Sequence, residues 1–252
     1  MNTYTKAILR KPGKTFAAGI TTTNLGKPDL EKALKQHYSY CEALQQCGLK
    51  LIVLEADERY PDGCFVEDAA IVTETLAILT NPGDPSRRGE VEAIREVLAQ
   101  YKEIAAIKAP GTVDGGDILR VQDHFYIGRS KRTNAAGAKQ LSLLLSKCKY
   151  NSTEIPVNSV LHLKTGVTHL GNNNFVSIVE FSKNFPSGQV ICLDDKEAYA
   201  ANCILINGKV LMPAGYPTAK QQIAKLGHPI IEVEMSEFQK MDGGLTCLSL
   251  LF

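Results

Sequence analysis

Near its end the chain reads MDGGLTCLSLLF, with Cys247 close behind the glycine pair Gly243 and Gly244. Such a cysteine is either a small apolar residue of a last strand or a thiol held for reaction. His162 in VLHLKTG and the acids Asp62, Glu67 and Asp68 (PDGCFVED), Asp114 and Asp117 (TVDGGD) and Asp242 (MDGG) offer further groups. A thiol, an imidazole and a carboxylate in one cavity would make a nucleophile, a proton shuttle and an orienting acid. Several inward carboxylates would suit a flat cation, because a guanidinium presents five donors in a fixed fork. Taken singly, each residue has a plainer use. Asp before Gly is ordinary turn chemistry, and a histidine between apolar residues is commonly a satisfied core residue. What sets these positions apart is their place in a repeat.

The recurring unit is an apolar strand, a short turn, a second strand, an amphipathic helix and a third strand. FVEDAAIVTETLAILT, SRRGEVEAIREVLAQYK and EIAAIKA make one copy; GGDILRVQDHFYIG, TNAAGAKQLSLLLSKCK and STEIPVN make another. In NCILINGKVLMP, Asn207-Gly208 is the dipeptide that favours a type I′ hairpin turn, and TAKQQIAKLG and PIIEVEM follow it. HLGNNNFVSIVEF reads as a copy with a weak or missing helix. The last copy is split, with CLSLLF expected to pair near KAILRKP and the helix DLEKALKQHYSYCEALQQCG leading into LKLIVLEAD. About five units would close a ring whose equivalent loops converge on one cavity. The acids, His162 and Cys247 fall at or near the starts of these units. The other histidines, His37, His124, His169 and His228, do not.

The 252 residues carry a formal charge of +1, which gives no general pull on nucleic acid or anionic membrane. No apolar run approaches the length of a membrane span, and the N-terminus lacks the features of a secretory signal. A cytoplasmic address follows as the expectation. The seven cysteines form no CxxC pair and no zinc spacing, so neither a disulfide framework nor a metal is expected. With no linker in view, one domain spanning 1–252 is the simpler expectation. Oligomeric state is not fixed by the sequence, which is compatible with a homodimer.

FVED, SRRGE, TVDGGDI with HFYIG, the RTN at Arg132, HLKTG, AANC with MPAGYP and the terminal DGG-x-x-C together resemble the dimethylarginine dimethylaminohydrolases of the guanidine-modifying superfamily. The resemblance implies a five-bladed β/α propeller with pseudo-fivefold symmetry, closed by its N- and C-terminal strands. It also implies hydrolysis of N-methylated arginines to citrulline and a methylated amine, with a small-molecule substrate and no cofactor. Cys247 matches the nucleophile, His162 the general acid/base and Asp114 the carboxylate paired with that histidine. Asp68 and Glu67 match positions that meet the guanidinium, and Arg87 and Arg132 the pair that holds the substrate carboxylate. Asp62, with the backbones of Ile20 and Met241, matches the surroundings of the α-amino end.

Two other functions compete. Arginine deiminases, or another small guanidine hydrolase, share the superfamily. They characteristically have an aspartate where this chain has Lys164, and they carry an inserted helical domain that no segment here supplies. The substitution by Lys164 is expected to leave one terminal nitrogen less tightly held, with room for methyl groups. A non-catalytic propeller binding a macromolecule would not need Cys247, His162 and two arginines around one cavity.

Overall fold

The structure, a computed structural model, describes residues 3–185 and 188–252. Strand β1 (Lys6–Arg10) leads through a long loop to helix α1 (Leu30–Gln46) and strand β2 (Lys50–Leu54). Parallel strands need a crossover, and α1 supplies it: β1 and β2 pair in parallel from Lys6 opposite Lys50 to Arg10 opposite Leu54. The Asp29 carboxylate starts α1 by accepting from the Lys32 N–H. Ala33, Tyr40, Ala43 and Leu44 form its buried stripe.

A hairpin plus a crossover then recurs. Antiparallel β3 (Ala70–Val72) and β4 (Leu76–Leu79) are followed by α2 (Val91–Leu98) and by β5 (Glu103–Ala106), parallel to β4. The next copy is β6 (Ile118–Val121), β7 (His124–Arg129), α3 (Ala135–Lys147) and β8 (Asn151–Pro156). A single-turn helix, α4 (Leu163–Gly166), opens the copy built from β9 (Val167–His169), β10 (Asn174–Ser177) and β11 (Gln189–Cys192). Here a 3-10 turn over Val179–Phe181 stands where the other copies have a helix. Strands β12 (Ile204–Ile206) and β13 (Lys209–Pro213), helix α5 (Pro217–Ala224) and β14 (Ile230–Val233) form the next copy. Its hairpin turns on Asn207 (φ 48°) and Gly208 (φ 85°), the pair of positive φ values that a type I′ turn requires.

After α6 (Ser236–Gln239), β15 (Leu250–Leu251) pairs antiparallel with β1, Ala7 opposite Leu251 and Ile8 opposite Leu250. The result is five three-stranded sheets of one pattern, one of them assembled from both ends of the described chain. The pairing of CLSLLF with KAILRKP is therefore as expected. Among the described residues, no helix is long and apolar enough to cross a membrane.

Each antiparallel pair is entered through one helical or 3-10 turn: Val66–Ala69, Gly115–Asp117, Leu163–Gly166, Ala198–Ala201 and Thr246–Leu248. These equivalent turns carry or adjoin Asp68, Asp114, His162, Asn202 and Cys247. Apolar clusters under the turns hold them in place; Ile8, Val66, Leu79, Ile94 and Leu250 pack as one.

Leu250 is thus both a core residue and the anchor of the strand that follows Cys247. Leu250→Ala is expected to cost about 2–5 kcal/mol in urea unfolding and to speed alkylation of Cys247 below the unfolding transition. A cost under about 1 kcal/mol would show that β15 does not clasp β1 with the strength its burial implies.

Candidate active site

Cys247, His162 and Asp68 line one small cavity of about 30 Å³, together with Arg87, Arg132 and Asp62. Ile20, Met241, Phe65 and Leu161 complete much of its wall. Larger cavities of about 170 and 810 Å³ lie elsewhere, and neither contains the thiol or the imidazole. Of the residues singled out in the sequence, Ile20, Asp62, Asp68, Arg87, Arg132, His162, Met241, Asp242 and Cys247 reach the small cavity, whereas Glu67, Asp114, Asp117 and Lys164 do not.

Asp114 stands behind the histidine. His162 Nε2 lies 3.0 Å from Asp114 Oδ2, both side chains buried. A Cβ at Gly116 would lie 2.6 Å from His162 Nδ1 and 3.1 Å from Asp68 Oδ1, so only glycine permits this approach. Burial alone would drive the proton off His162, but the negative charges of Asp68 and Asp117 and the bond to Asp114 raise its pKa to about 9. The imidazole is consequently protonated at neutral pH.

Asp68 is held as an ion. Burial favours its neutral form, yet the charges of His162 and Arg87 and the Gly116 N–H overcome that and keep it below the ordinary carboxylate range. Arg87 Nη1 donates to Asp68 Oδ2 at 2.6 Å, and the Gly116 N–H donates to Asp68 Oδ1 at 2.9 Å. The rest of Arg87 is largely committed. Its Nε and Nη2 donate to Glu90, and Nη2 also donates to the Phe65 carbonyl. One Nη1 N–H is left for a ligand. Arg132 is freer: its ion-pair partner is Asp84, 3.7 Å away. The Ile20 N–H donates to both oxygens of Asp62 at 3.1 Å, while burial raises the Asp62 pKa.

Glu67 faces the other way from Asp68. Lys164 Nζ donates to its Oε1 at 2.6 Å and Thr246 Oγ1 to its Oε2 at 2.8 Å, forming a wall between the catalytic cavity and the 170 Å³ one. Its carboxylate is thus occupied. Asp117 is structural: it accepts from the Ser130 and Thr133 hydroxyls and the Leu163 N–H. Asp242 accepts from the N–H and hydroxyl of Thr22, fastening the loop after β1.

The thiol of Cys247 is pushed up to about 12 by burial and by the charges of Glu67 and Asp68, against a weaker pull from the Gly244 N–H and Lys164. It rests as a neutral thiol beside an imidazolium. The glycines before it serve closeness and do not supply a left-handed turn. The left-handed residue of the segment is Asp242 (φ 57°). Gly244 is needed for close packing, since a Cβ there would lie 2.5 Å from Asn202 Cγ.

Glu90 and Asn202 escaped the sequence reading. Glu90 carried a signal, its i,i+3 spacing from Arg87; Asn202 had none beyond its place at a unit start. Asp68, Asp114 and His162 could each offer one metal ligand atom within 4.8 Å of the others. A cation there would have to displace the His162 proton that these same carboxylates stabilise.

Over 249 residues the chain is 47% identical to the N(G),N(G)-dimethylarginine dimethylaminohydrolase of Pseudomonas aeruginosa, covering 97% of this chain and 98% of the relative. The chain belongs to the dimethylarginine dimethylaminohydrolase family. The family model for N,N dimethylarginine dimethylhydrolase, eukaryotic, matches residues 23–194. The backbone is similar to that of a Cys-to-Ser mutant of the Pseudomonas aeruginosa dimethylarginine dimethylaminohydrolase complexed with citrulline, with a TM-score of 0.98, 45% identity and all of both chains covered. It is also similar to a dimethylarginine dimethylaminohydrolase in which a His-to-Gly mutant forms an adduct with S-methyl-L-thiocitrulline, with a TM-score of 0.97, 45% identity and 99% and 100% of the two chains covered. The resemblance read from FVED, TVDGGD, HLKTG and DGG-x-x-C is borne out.

Two pH dependences follow from the site. Without substrate, iodoacetamide alkylation of Cys247 should keep rising well past the pH of about 8.5 at which an ordinary thiol titrates, and Asp68→Asn should shift that profile down. An ordinary thiol profile would contradict the buried, proton-holding site. The pKa of His162 is raised from 6.5 to about 9, so its stabilising contribution is complete below pH 6.5 and lost as pH climbs through 9. The urea stability gap between the unmodified chain and His162→Gln should narrow over that window; a constant gap would contradict it.

Proposed function

We propose that this chain hydrolyses N-methylated L-arginines, asymmetric dimethylarginine and monomethylarginine, to L-citrulline and dimethylamine or methylamine. The observation that carries the reading is one cavity lined by a thiol, an imidazolium and an ionised carboxylate. Similarity to family members complexed with citrulline and S-methyl-L-thiocitrulline supports it. Asp68 accepts N–H groups of the guanidinium. Arg132, with the remaining Arg87 donor, holds the substrate carboxylate, and Asp62 with the Ile20 and Met241 backbones meets the α-amino end. Glu67 acts at one remove, through Lys164 and Thr246.

The charge state of the site decides how the nucleophile forms. Burial and the charges of Glu67 and Asp68 hold the proton on Cys247; an incoming guanidinium offsets the two carboxylates, and the thiol proton passes to bulk water as substrate enters. The thiolate then forms a bond to the central guanidinium carbon. His162 gives its proton to the departing amine as the C–N bond breaks, leaving an S-linked thiouronium. Water attacks that carbon while His162 takes one water proton; the C–S bond then breaks, the second water-derived proton returns to the Cys247 sulfur, and citrulline leaves. Asp114 keeps the ring oriented through both halves. The steps use only these side chains and water, so the scheme calls for no cofactor.

The loop bearing Ile20 is fastened at the cavity by bonds to Asp62 and Asp242, and on this proposal it lifts to admit substrate. In this reading the five units close into a five-bladed β/α propeller, one domain over 1–252, and the convergence of turns from different sheets on one cavity supports it. The free thiols suit a reducing, cytoplasmic setting.

Cys247→Ser is expected to abolish amine release while retaining citrulline binding, and alkylation of Cys247 in the unmodified protein to abolish amine release. Arg132→Ala should raise KM roughly 10- to 100-fold, as the loss of charged hydrogen bonds implies. A citrulline assay should show methylated arginines consumed faster than arginine. Turnover by Cys247→Ser would refute the covalent route, and preference for arginine would favour a deiminase.

A further inference from the structure

The turn bearing His162 and the turn bearing Cys247 belong to different units, and one buried amide joins them. Asn202, 4% exposed, donates from Nδ2 to the Lys164 carbonyl at 2.8 Å and to Thr246 Oγ1 at 3.2 Å. Its Oδ1 accepts from the Thr246 N–H at 3.0 Å. Lys164 lies two residues beyond His162, and Thr246 directly precedes Cys247. Thr246 Oγ1, its lone pair engaged by Asn202, donates a hydrogen bond to Glu67 Oε2 at 2.8 Å. Glu67 in turn adjoins Asp68.

Every hydrogen of this amide is placed. Only Asn and Gln side chains combine two donors with an acceptor, and Gln is a methylene too long for a site pressed against Gly244, where even a Cβ would stand 2.5 Å from Asn202 Cγ. Asp would keep the shape and lose both donors. Asn202 is absent from the catalytic cavity wall and lines the adjoining groove, so it acts on its neighbours and not on the substrate.

We propose that Asn202 is a positioning residue that sets the Cys247 sulfur against His162 and the bound guanidinium, acting through Thr246 and the Lys164 carbonyl. The proposal rests on the hydrolase reading and deepens it. Reactive geometry is sensitive enough that a shift of about 1 Å can cost roughly 10²-fold in rate.

The test compares Asn202→Ala, Asn202→Asp, Thr246→Ser and Thr246→Val with the unmodified protein. Amine release from monomethylarginine by Asn202→Ala and Asn202→Asp should fall about 10²-fold in kcat, with KM little changed. Thr246→Ser, which keeps the hydroxyl, should stay close to the unmodified rate. Because the two residues act as one unit, the double variant Asn202→Ala/Thr246→Val should be little slower than the worse single variant. Alkylation of Cys247 by iodoacetamide, which needs no substrate, should shift to lower pH in Asn202→Ala as the loosened turn lets water reach the sulfur.

An undiminished kcat in Asn202→Asp, additive losses in the double variant, or kcat, KM and thermal midpoint declining together would overturn the proposal. Should the unmodified protein release no amine, the hydrolase reading fails. The alkylation profile then decides the positioning role by itself, an unshifted profile counting against it.

Discussion

An ionised carboxylate buried at Asp68 is the constraint around which the site is arranged. Removing such a charge from water is costly, and it persists only where cations and donors surround it. Arg87, the Gly116 amide and protonated His162 meet that need. Each then imposes its own requirement. Buried Arg87 needs Glu90 as a second counter-ion, and His162 needs Asp114 and a neighbour without a side chain. Behind Asp68, Glu67 is neutralised by Lys164. The resulting set has a neutral thiol at its edge, and a bound guanidinium would add one positive charge. Cys247 is the group whose ionisation restores the balance, so in the proposed chemistry the cation that is to be attacked also creates its attacker.

Such a set requires accurate placement, and the fold obtains it by repetition. Asp68, Asp114, His162, Asn202 and Cys247 all lie at or beside the short turn that opens a three-stranded sheet. Each turn runs into a strand whose register is fixed by hairpin and crossover pairing, and the packed clusters beneath tolerate little displacement. Side chains remote in the chain therefore meet without any of them resting on a long free loop. The exception is Ile20, which lines the cavity from a loop attached by bonds to Asp62 and Asp242.

Much of this was legible beforehand. The hairpins at Gln122 and Asn207-Gly208, the missing helix after β10 and the pairing of LSLLF with KAILR follow from period and turn chemistry. So does the gathering of Cys247, His162 and Asp68, once the units are aligned. What stayed hidden was direction within a turn. Glu67 and Asp68 are neighbours of one chemical class, yet Asp68 faces the cavity and Glu67 the wall behind it; no periodicity separates two residues of a single 3-10 turn. The commitment of Arg87 to Asp68 and Glu90 depends on tertiary charge pairing, which spacing hints at but does not orient. At DGG the left-handed conformation belongs to Asp242, because the glycines are used for closeness to Phe65 and Asn202.

The wall of Glu67, Lys164 and Thr246 divides polar side chains from separate units between two compartments of unlike size. Each opening turn contributes a different role, and contacts such as those of Asn202 and Gly116 bind the turns to one another. Such an architecture ties the inheritance of the reaction together: a new leaving group or head group would call for matched changes in several turns at once.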